Sequence, residues 1–124
     1  MSFKVTISEN GKYIIGKLDE PLDRDTVQQL TREYVKIINE TGIKRILNDV
    51  RGVPNAMDII DGYEFAYTDT KVINLPGDIR AAILTNPGDD THSFHETVAL
   101  NAGYMVKVFD EIEAAVAWLL KGLR

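Results

Sequence analysis

From residue 43 onwards, short apolar segments alternate with longer segments in which apolar residues recur every three or four positions. The short segments, such as residues 81–84, have the length of buried strands, and the longer ones have the spacing of amphipathic helices. Parallel strands cannot be joined by a tight turn, so a helix usually crosses between them. The alternation therefore predicts an α/β fold built on parallel strands.

The N-terminal part has a different pattern, that of a hairpin. Phe3, Val5 and Ile7 alternate with polar residues, which is the period of a half-buried strand. Asn10-Gly11 follows, and both residues tolerate the positive φ that a tight hairpin turn requires. With the second strand over residues 12–18, we expect an antiparallel pair at this end of the sheet.

Four helices complete the prediction, over residues 25–41, 57–74 and 90–102 and from Asp110 onwards. Asp25 with Gln28, and Asp110 with Glu113, have the spacing of capping boxes. Gly42 stands where a helix end favours positive φ. The predicted order is β-β-α-β-α-β-α-β-α, a mixed, mostly parallel five-stranded sheet in one domain spanning residues 1–124.

The second helix carries the clearest aromatic content. Its expected buried face consists of Ile59, Tyr63, Ala66, Thr70 and Ile73. Phe65 falls off this face and Tyr67 lies near its edge, so both residues would mark a contact surface if they are exposed. Gly62 inside the helix costs up to about 1 kcal/mol relative to alanine, which suggests a packing reason for it.

Charged residues occur inside several predicted strands, namely Arg45, Asp49, Arg80 and Lys107. A sheet buried on both faces would instead show continuous aliphatic runs. We therefore expect one sheet face to be covered less completely and to meet solvent, a second subunit or a ligand. A homodimer through this face is one of these alternatives.

Composition excludes several classes of function. The 124 residues contain no cysteine and carry a net charge of −5, with no basic cluster. Disulfides, thiol catalysis and cysteine-bound metals are excluded, and nucleic acid is not an expected partner. No apolar run is long enough to span a bilayer, and the first residues lack a signal-peptide core, so we expect a cytoplasmic protein without membrane insertion.

The connection between the third strand and the second helix is the place to look for a binding site. Strand ends and helix N-termini converge at such connections in α/β proteins. The candidate ligand- or partner-binding residues are Asp49, Arg51, Asn55, Asp58, Asp61, Asn86 and His92. Arg51 would suit an anionic group there. Alternatively, Asp49 and Arg51 pair with each other or cap the helix.

One short stretch has the spacing of a weak metal site. His92, His95 and Glu96 stand at i, i+3 and i+4, so one helical face presents all three. A zinc site needs three or four such ligands, and the pattern is not that of known zinc hydrolases. The alternative is an ordinary first helical turn, with Ser93 and Glu96 as a capping pair. We predict no metal.

Signatures of catalysis are missing from the sequence. There is no nucleophile elbow, no Walker-A pattern and no dinucleotide-binding glycine pattern. We therefore predict no catalytic residues and no cofactor. An enzyme using Asp49, Arg51 and His92 is the remaining catalytic hypothesis.

The chain resembles the SpoIIAA-like group, which comprises the STAS domains and uncharacterised bacterial single-domain relatives. The resemblance covers nearly the whole chain and is carried by residues 44–49, 57–58, 94–104, 108–110 and 115–119. It implies a SpoIIAA-like fold and a regulatory module that acts by binding a partner.

The resemblance also implies a switch that this sequence cannot use. In the anti-sigma antagonists the second helix begins with Asp-Ser-Ser-Gly or a close variant, and phosphorylation of a serine there changes partner binding. The matching residues 58–62 are Asp-Ile-Ile-Asp-Gly, and no hydroxyl occurs between Asn55 and Gly62. The main hypothesis is thus a non-catalytic binding module without the phospho-switch. The alternative is a carrier or sensor of a small apolar, lipid-like ligand.

Overall fold

The fold is organised around one mixed sheet. The computed structural model describes residues 3–122. Its strands are β1 (Phe3–Ile7), β2 (Ile14–Leu18), β3 (Arg45–Asp49), β4 (Arg80–Leu84) and β5 (Met105–Phe109). They lie in the order β1-β2-β3-β4-β5, with β1 antiparallel to β2 and every other pair parallel. The predicted mixed, mostly parallel five-stranded sheet is confirmed.

Helices follow the strands as predicted, with one irregularity. They are α1 (Arg24–Thr41), α2 (Ile59–Glu64), α3 (Thr70–Ile73), α4 (Ser93–Asn101) and α5 (Ile112–Leu120). A π-helical turn, Phe65–Asp69, joins α2 to α3 without a break. The predicted second helix is therefore a single helix with a wide turn in its middle.

The buried face of this helix differs from the predicted one. The Thr70 N–H donates to the carbonyl of Phe65, five residues earlier, so the turn holds an extra residue. Buried positions run through Gly62, Ala66 and Thr70, whereas Tyr63 is exposed. Ile59 was also expected to be buried, and it is exposed as well.

Both predicted capping boxes are wrong. Helix α1 is capped by Asp23, whose carboxylate accepts a hydrogen bond from the Thr26 N–H at 2.7 Å. Gln28 instead donates to Asp69 on the neighbouring helix. Helix α5 follows Glu111 and has no side-chain cap. The predicted helix end at Gly42 is confirmed, since Gly42 has φ 77° and donates to the Ile38 carbonyl.

The two sheet faces are covered unequally. Helices α1 to α4 share one face, where the larger core cluster is centred on Ile14, Leu18, Leu30, Tyr34, Ile46 and Val50. Helix α5 lies on the other face and packs mainly on β3, β4 and β5. Its smaller cluster consists of Leu47, Ala82, Leu84, Ala115 and Leu119.

All four charged strand residues lie on the α5 face. Residues two positions apart in a strand share a face, as do residues paired across neighbouring strands. Leu47, Ala82 and Leu84 pack under α5, so the same face carries Arg45, Asp49, Arg80 and Lys107. The Arg80 guanidinium donates to the carbonyls of Trp118 and Lys121 and thereby caps the end of α5. This face is the less completely covered one, as the charges indicated.

Within residues 3–122, the structure contains no helix with both the length and the apolar content that a membrane span requires.

Candidate functional site

The core contains a cavity of about 150 Å³ that is partly open to solvent. It lies between the sheet and the helices of the larger core. The sheet contributes Ile46, Ala81, Ile83 and Val106, and the helices contribute Leu30, Tyr34, Gly62, Phe65, Ala66, His95, Val98 and Ala99. Most of these groups are apolar, so the cavity is a place for an apolar molecule.

Polar side chains on the cavity wall mostly bond to the protein itself. The Tyr34 hydroxyl donates to Asn48 Oδ1 at 2.6 Å, and burial raises the pKa of Tyr34 well above its usual range. Thr31 donates to the Val27 carbonyl at 2.7 Å. Thr70 donates to the Ala66 carbonyl at 2.9 Å. These hydroxyl protons are therefore not available to a ligand.

His95 is the exception on this wall. Its Nε2 is buried and is the one buried side-chain nitrogen or oxygen within residues 3–122 without a hydrogen-bond partner. Burial removes the hydration of the imidazolium, and the nearby His92 adds to the effect, so the pKa of His95 falls to about 4. The imidazole is thus neutral near pH 7.

The absence of a side chain at Gly62 lets α2 approach α4 closely. A Cβ built there would lie 3.0 Å from Cε1 of Phe94 and 3.8 Å from Cε1 of His95. The packing reason that the sequence suggested for this glycine is therefore contact with α4 beside the cavity.

The π-helical turn over the cavity is held by an ion pair from α1. Arg24 Nε and Nη2 donate to the two carboxylate oxygens of Asp69 at 2.8 and 3.0 Å. Gln28 donates to the same carboxylate at 2.8 Å. Asp69 is only 7% exposed, and the hydrogen bond from Arg24 is the main cause that lowers its pKa. These contacts fix the helix that carries Phe65 and Ala66.

The predicted candidates Asp49 and Arg51 bind each other. Arg51 Nε and Nη2 donate to the Asp49 carboxylate at 3.0 and 2.8 Å, and Lys17 Nζ lies 3.6 Å from it. Although burial opposes it, these contacts lower the pKa of Asp49. Asp49 is the last residue of β3 and lies on the α5 side of the sheet, and Arg51 lies two residues later. The contacts agree with the alternative that the two residues form a local pair.

Asn55 and His92 join two loops at the carboxyl ends of β3 and β4. The Asn55 N–H and side-chain amide donate to Thr91 Oγ1 and the Thr91 carbonyl at 3.1 and 3.2 Å. His92 is 1% exposed and its Nε2 donates to the Val53 carbonyl at 2.9 Å. Both side chains therefore tie loop to loop, and His92 also lines the cavity.

The remaining candidates lie outside the cavity. Asp58 caps α2 by accepting from the Asp61 N–H at 2.7 Å. Asp61 Oδ1 is 3.7 Å from Arg24 Nη1. Asn86 is exposed in the turn after β4. Of the seven predicted binding residues, His92 alone lines the cavity.

The three weak metal candidates point to different partners. His92 is bonded to Val53, and Glu96 accepts from the Val108 N–H at 2.6 Å. The imidazole rings of His92 and His95 have centroids 6.5 Å apart. Throughout the described residues, no three His, Asp or Glu side chains are grouped to hold a metal ion. Glu96 also does not cap α4, contrary to the capping alternative.

An exposed apolar strip runs along the outer side of the same helix. Its members are Ile59, Ile60, Tyr63, Tyr67 and Val72, and the rings of Tyr63 and Tyr67 stack with centroids 6.0 Å apart. Ile60 is 72% exposed. Of the two aromatics that the sequence singled out, Tyr67 belongs to this strip, whereas Phe65 is half-buried and lines the cavity.

Sequence reasoning missed most of the cavity wall. Ala66, Val98 and Ala99 have small apolar side chains that nothing in the sequence marks as binding residues. The cavity arises from how three helices meet the sheet. Two signals were present, namely Gly62 inside a helix and Phe65 outside the expected apolar face.

The sheet order, the single antiparallel pair and the helix arrangement define a SpoIIAA-like α/β fold. Among solved structures, the chain is similar to an uncharacterized protein from the DUF3478 family of Shewanella loihica PV-4, which is described as having a SpoIIAA-like fold. The identity is 19%, the alignment covers 94% of this chain and 91% of that one, and the TM-score is 0.59. The expected SpoIIAA-like fold is thereby confirmed. By sequence comparison, no known protein family and no curated protein matches the chain.

Proposed function

We propose that this protein is a non-catalytic binding module of SpoIIAA-like type, working without a switch serine, that holds a small apolar or amphipathic ligand in its interior cavity. The observation that carries the proposal is the apolar cavity beneath α2 and the π-helical turn. This favours the carrier or sensor hypothesis over a module that acts by surface contacts alone.

The volume of the cavity supports a ligand of about the size of benzene. An engineered protein cavity of about 150 Å³, lined by Leu, Ile and Phe, stays dry and binds benzene.

Toluene is a suitable probe for the proposal, because it has the right size and no hydrogen-bonding group. We expect it to shift the methyl NMR signals of the cavity residues Ile46, Ile83 and Val98 and to raise Tm in a dose-dependent way. Signals from the α5 face, such as those of Leu119, serve as the internal reference.

A cavity-filling variant supplies the matched test. Ala81 is buried, lies on β4 and lines the cavity, so Ala81→Leu places its added carbons there. Ala117 is exposed on α5, and Ala117→Leu is the same change away from the site. We expect Ala81→Leu to abolish the response to toluene and Ala117→Leu to leave it unchanged. If a folded wild-type protein gives no response to toluene, or if Ala81→Leu responds as wild type does, the carrier proposal is wrong.

Native mass spectrometry of the protein as purified from cells adds a second measurement. A bound organic molecule that is missing from Ala81→Leu would identify the ligand class directly. The absence of cysteine is compatible with the cytoplasmic location that we keep as part of the proposal.

The exposed apolar strip favours a second candidate function, the binding of a protein partner. Ile60, Tyr63 and Tyr67 lie next to the loop and helix start where the sequence placed a partner. Large exposed apolar groups on one helix face are typical of contact surfaces. The partner considered first is a second copy of the chain. The sequence placed a homodimer on the α5 face of the sheet, so the strip is a second location for such a contact.

Sedimentation at micromolar concentration tests this second candidate. We expect a dimer that Ile60→Asp converts to a monomer. Dissociation by Ala117→Asp instead, on the exposed side of α5, would place the interface on the face that the sequence predicted. A monomeric wild-type protein, or a dimer unaffected by Ile60→Asp, would remove the strip as a self-association surface.

The enzyme hypothesis gains no support from the geometry. Asp49 and Arg51 are bonded to each other, and His92 is bonded to a backbone carbonyl. A general acid or base must be free to reach a substrate proton. We therefore keep the proposal non-catalytic.

A further inference from the structure

Asn48 places a polar amide on the sheet side of the apolar cavity. It lies in β3 between Ile46 and Val50, on the sheet face that carries the larger core. Both of these neighbours are buried, whereas Asn48 is only half-buried. The same is true of Ile83, its partner on β4, although both residues lie in the middle of the sheet. All four residues line the cavity, so the open space above Asn48 and Ile83 is the cavity itself.

The Tyr34 hydroxyl shows which half of this amide is already used. It donates to Asn48 Oδ1 at 2.6 Å, and no other residue in the range 3–122 hydrogen-bonds to it. With the amide turned around, the hydroxyl would meet the amide nitrogen, and its proton would be buried without an acceptor. Oδ1 therefore faces Tyr34, and Nδ2 is the half that remains.

The position of Tyr34 also gives the direction of Nδ2. The β2 partner of Asn48 is Gly16, and a Cβ built on Gly16 would lie 1.8 Å from the Tyr34 hydroxyl oxygen. The hydroxyl thus lies over β2, and Oδ1 points towards that strand. Because the oxygen and the nitrogen of an amide point away from each other, Nδ2 is directed to the opposite side, towards Ile83 and the cavity.

The Asn48 nitrogen is both unpaired and reachable. Within residues 3–122, Nδ2 donates to no protein atom, and the one unpaired side-chain atom that is fully buried is a different one, Nε2 of His95. Nδ2 is therefore in contact with open space. An amide nitrogen carries two N–H donors and no acceptor, so the cavity wall offers hydrogen bonds of one kind at this point.

This donor restricts the chemistry of a matching ligand. A neutral acceptor, such as a carbonyl oxygen or an aromatic ring nitrogen, pairs with Nδ2 and brings no proton that needs a partner of its own. A group that only donates finds no partner in Nδ2. A carboxylate would accept the hydrogen bond but would bring a charge into an apolar cavity at high cost.

We propose that the ligand of the cavity is a small apolar molecule with a neutral hydrogen-bond acceptor, and that Nδ2 of Asn48 donates to this acceptor. The inference rests on the proposed function, because it concerns the same cavity. It goes further in naming the polar group of the ligand and the side chain that recognises it.

Benzene, pyridine and pyrrole are the probes that test this inference. All three are small flat rings, and they offer respectively no hydrogen-bonding group, an acceptor only and a donor only. Asn48→Leu alone would leave the Tyr34 hydroxyl without its acceptor, so the test uses the double variant Tyr34→Phe/Asn48→Leu, which removes both partners. The matched control is Tyr34→Phe, which keeps the amide. Dissociation constants are measured at mildly alkaline pH, where pyridine is neutral.

We expect the preference for pyridine over benzene to fall roughly five- to tenfold in the double variant, because the ring nitrogen loses its donor. Tyr34→Phe should keep the preference. If benzene binds but the preference is the same in all three proteins, or if pyridine does not bind at all, the inference is wrong and the carrier proposal stands. A loss of pyrrole affinity instead of pyridine affinity would show that Oδ1 is the free atom, which also refutes the inference. If no probe binds to the wild-type protein, the proposed function fails first and the inference fails with it.

A measurement on the wild-type protein decides the matter if the double variant does not fold. One side-chain amide proton of Asn48 should shift downfield and exchange more slowly with water when pyridine saturates the protein than when benzene does. Equal proton shifts and equal exchange rates with the two probes would overturn the inference without any variant.

Discussion

The close approach of Tyr34 to strand β2 gives the sharpest stability prediction. A Cβ built on Gly16 would lie 1.8 Å from the Tyr34 hydroxyl oxygen and 2.7 Å from its Cζ. Tyr34 is buried and its hydroxyl donates to Asn48 at 2.6 Å, so the ring can give way only by breaking this bond and moving towards the cavity that it lines. Gly16→Ala must therefore displace the tyrosine from its place in the core.

Two costs add to give the magnitude. Forcing an extra carbon into a packed core typically costs about 1–3 kcal/mol. Displacing the hydroxyl breaks its hydrogen bond and leaves Asn48 unpaired, which costs about 1–3 kcal/mol more. We expect Gly16→Ala to lower the free energy of unfolding by about 4 kcal/mol. For a domain of this length the fall in Tm is roughly 15 °C.

Urea unfolding followed by circular dichroism measures the loss, and two comparisons isolate its cause. Gly62→Ala is the same change where the nearest atom is at 3.0 Å, on the half-buried Phe94 ring, and we expect it to shift stability by less than about 1 kcal/mol. In a Tyr34→Phe background the 1.8 Å contact is gone, so Gly16→Ala should cost about half as much there. An equal cost in both backgrounds would refute the reasoning, because it would show that the hydroxyl is not the obstacle.

Three further predictions concern charged and titrating groups. Asp69→Asn should lower the free energy of unfolding by about 2 kcal/mol in urea titrations, since it removes the charged acceptor of Arg24. Because the pKa of Asp69 is lowered in the folded state, its contribution to the free energy of unfolding is present above the unfolded pKa near 3.8 and is lost as pH falls through the folded value. Acid unfolding should therefore begin at a pH that differs between Asp69→Asn and wild type. For His95, whose pKa falls from 6.5 to about 4, the unfolded state binds the proton more readily; stability should decline as pH falls from about 6.5 towards 4, and His95→Leu should flatten this slope in Tm measured against pH. Glu96→Gln should cost about 1 kcal/mol by the same urea assay, because it weakens the 2.6 Å hydrogen bond from the Val108 N–H; an unchanged stability would mean that water replaces the carboxylate there.

The features of the fold that sequence predicted well are those fixed by local pattern. A strand of period two, a hairpin and a glycine at a helix end each depend on a few adjacent residues, and all three lie where they were expected. The hairpin loop, however, spans the four residues 9–12 between Ser8 and Tyr13 and is not a two-residue Asn-Gly turn. Errors began where a distant residue competes for the same side chain. Gln28 has the spacing of a capping partner, but it bonds to Asp69, which lies 41 positions later in the chain. No pattern near residue 28 contains that information.

The candidate site shows the same limit more strongly. The site was predicted at polar residues near strand ends, because ligands of α/β proteins often bind there. Asp49 and Arg51 do lie at such an end, but each is the other's partner. The cavity is instead defined by small side chains, such as those of Gly62 and Ala66, that leave space between helices.

The π-helical turn lies between the cavity and the molecular surface. Phe65 and Ala66, at the start of the turn, line the cavity, while Tyr63 and Tyr67 are exposed. π-helical turns are often found at functional sites, and here the segment that contains the turn has one side that lines the cavity and another that exposes large apolar groups.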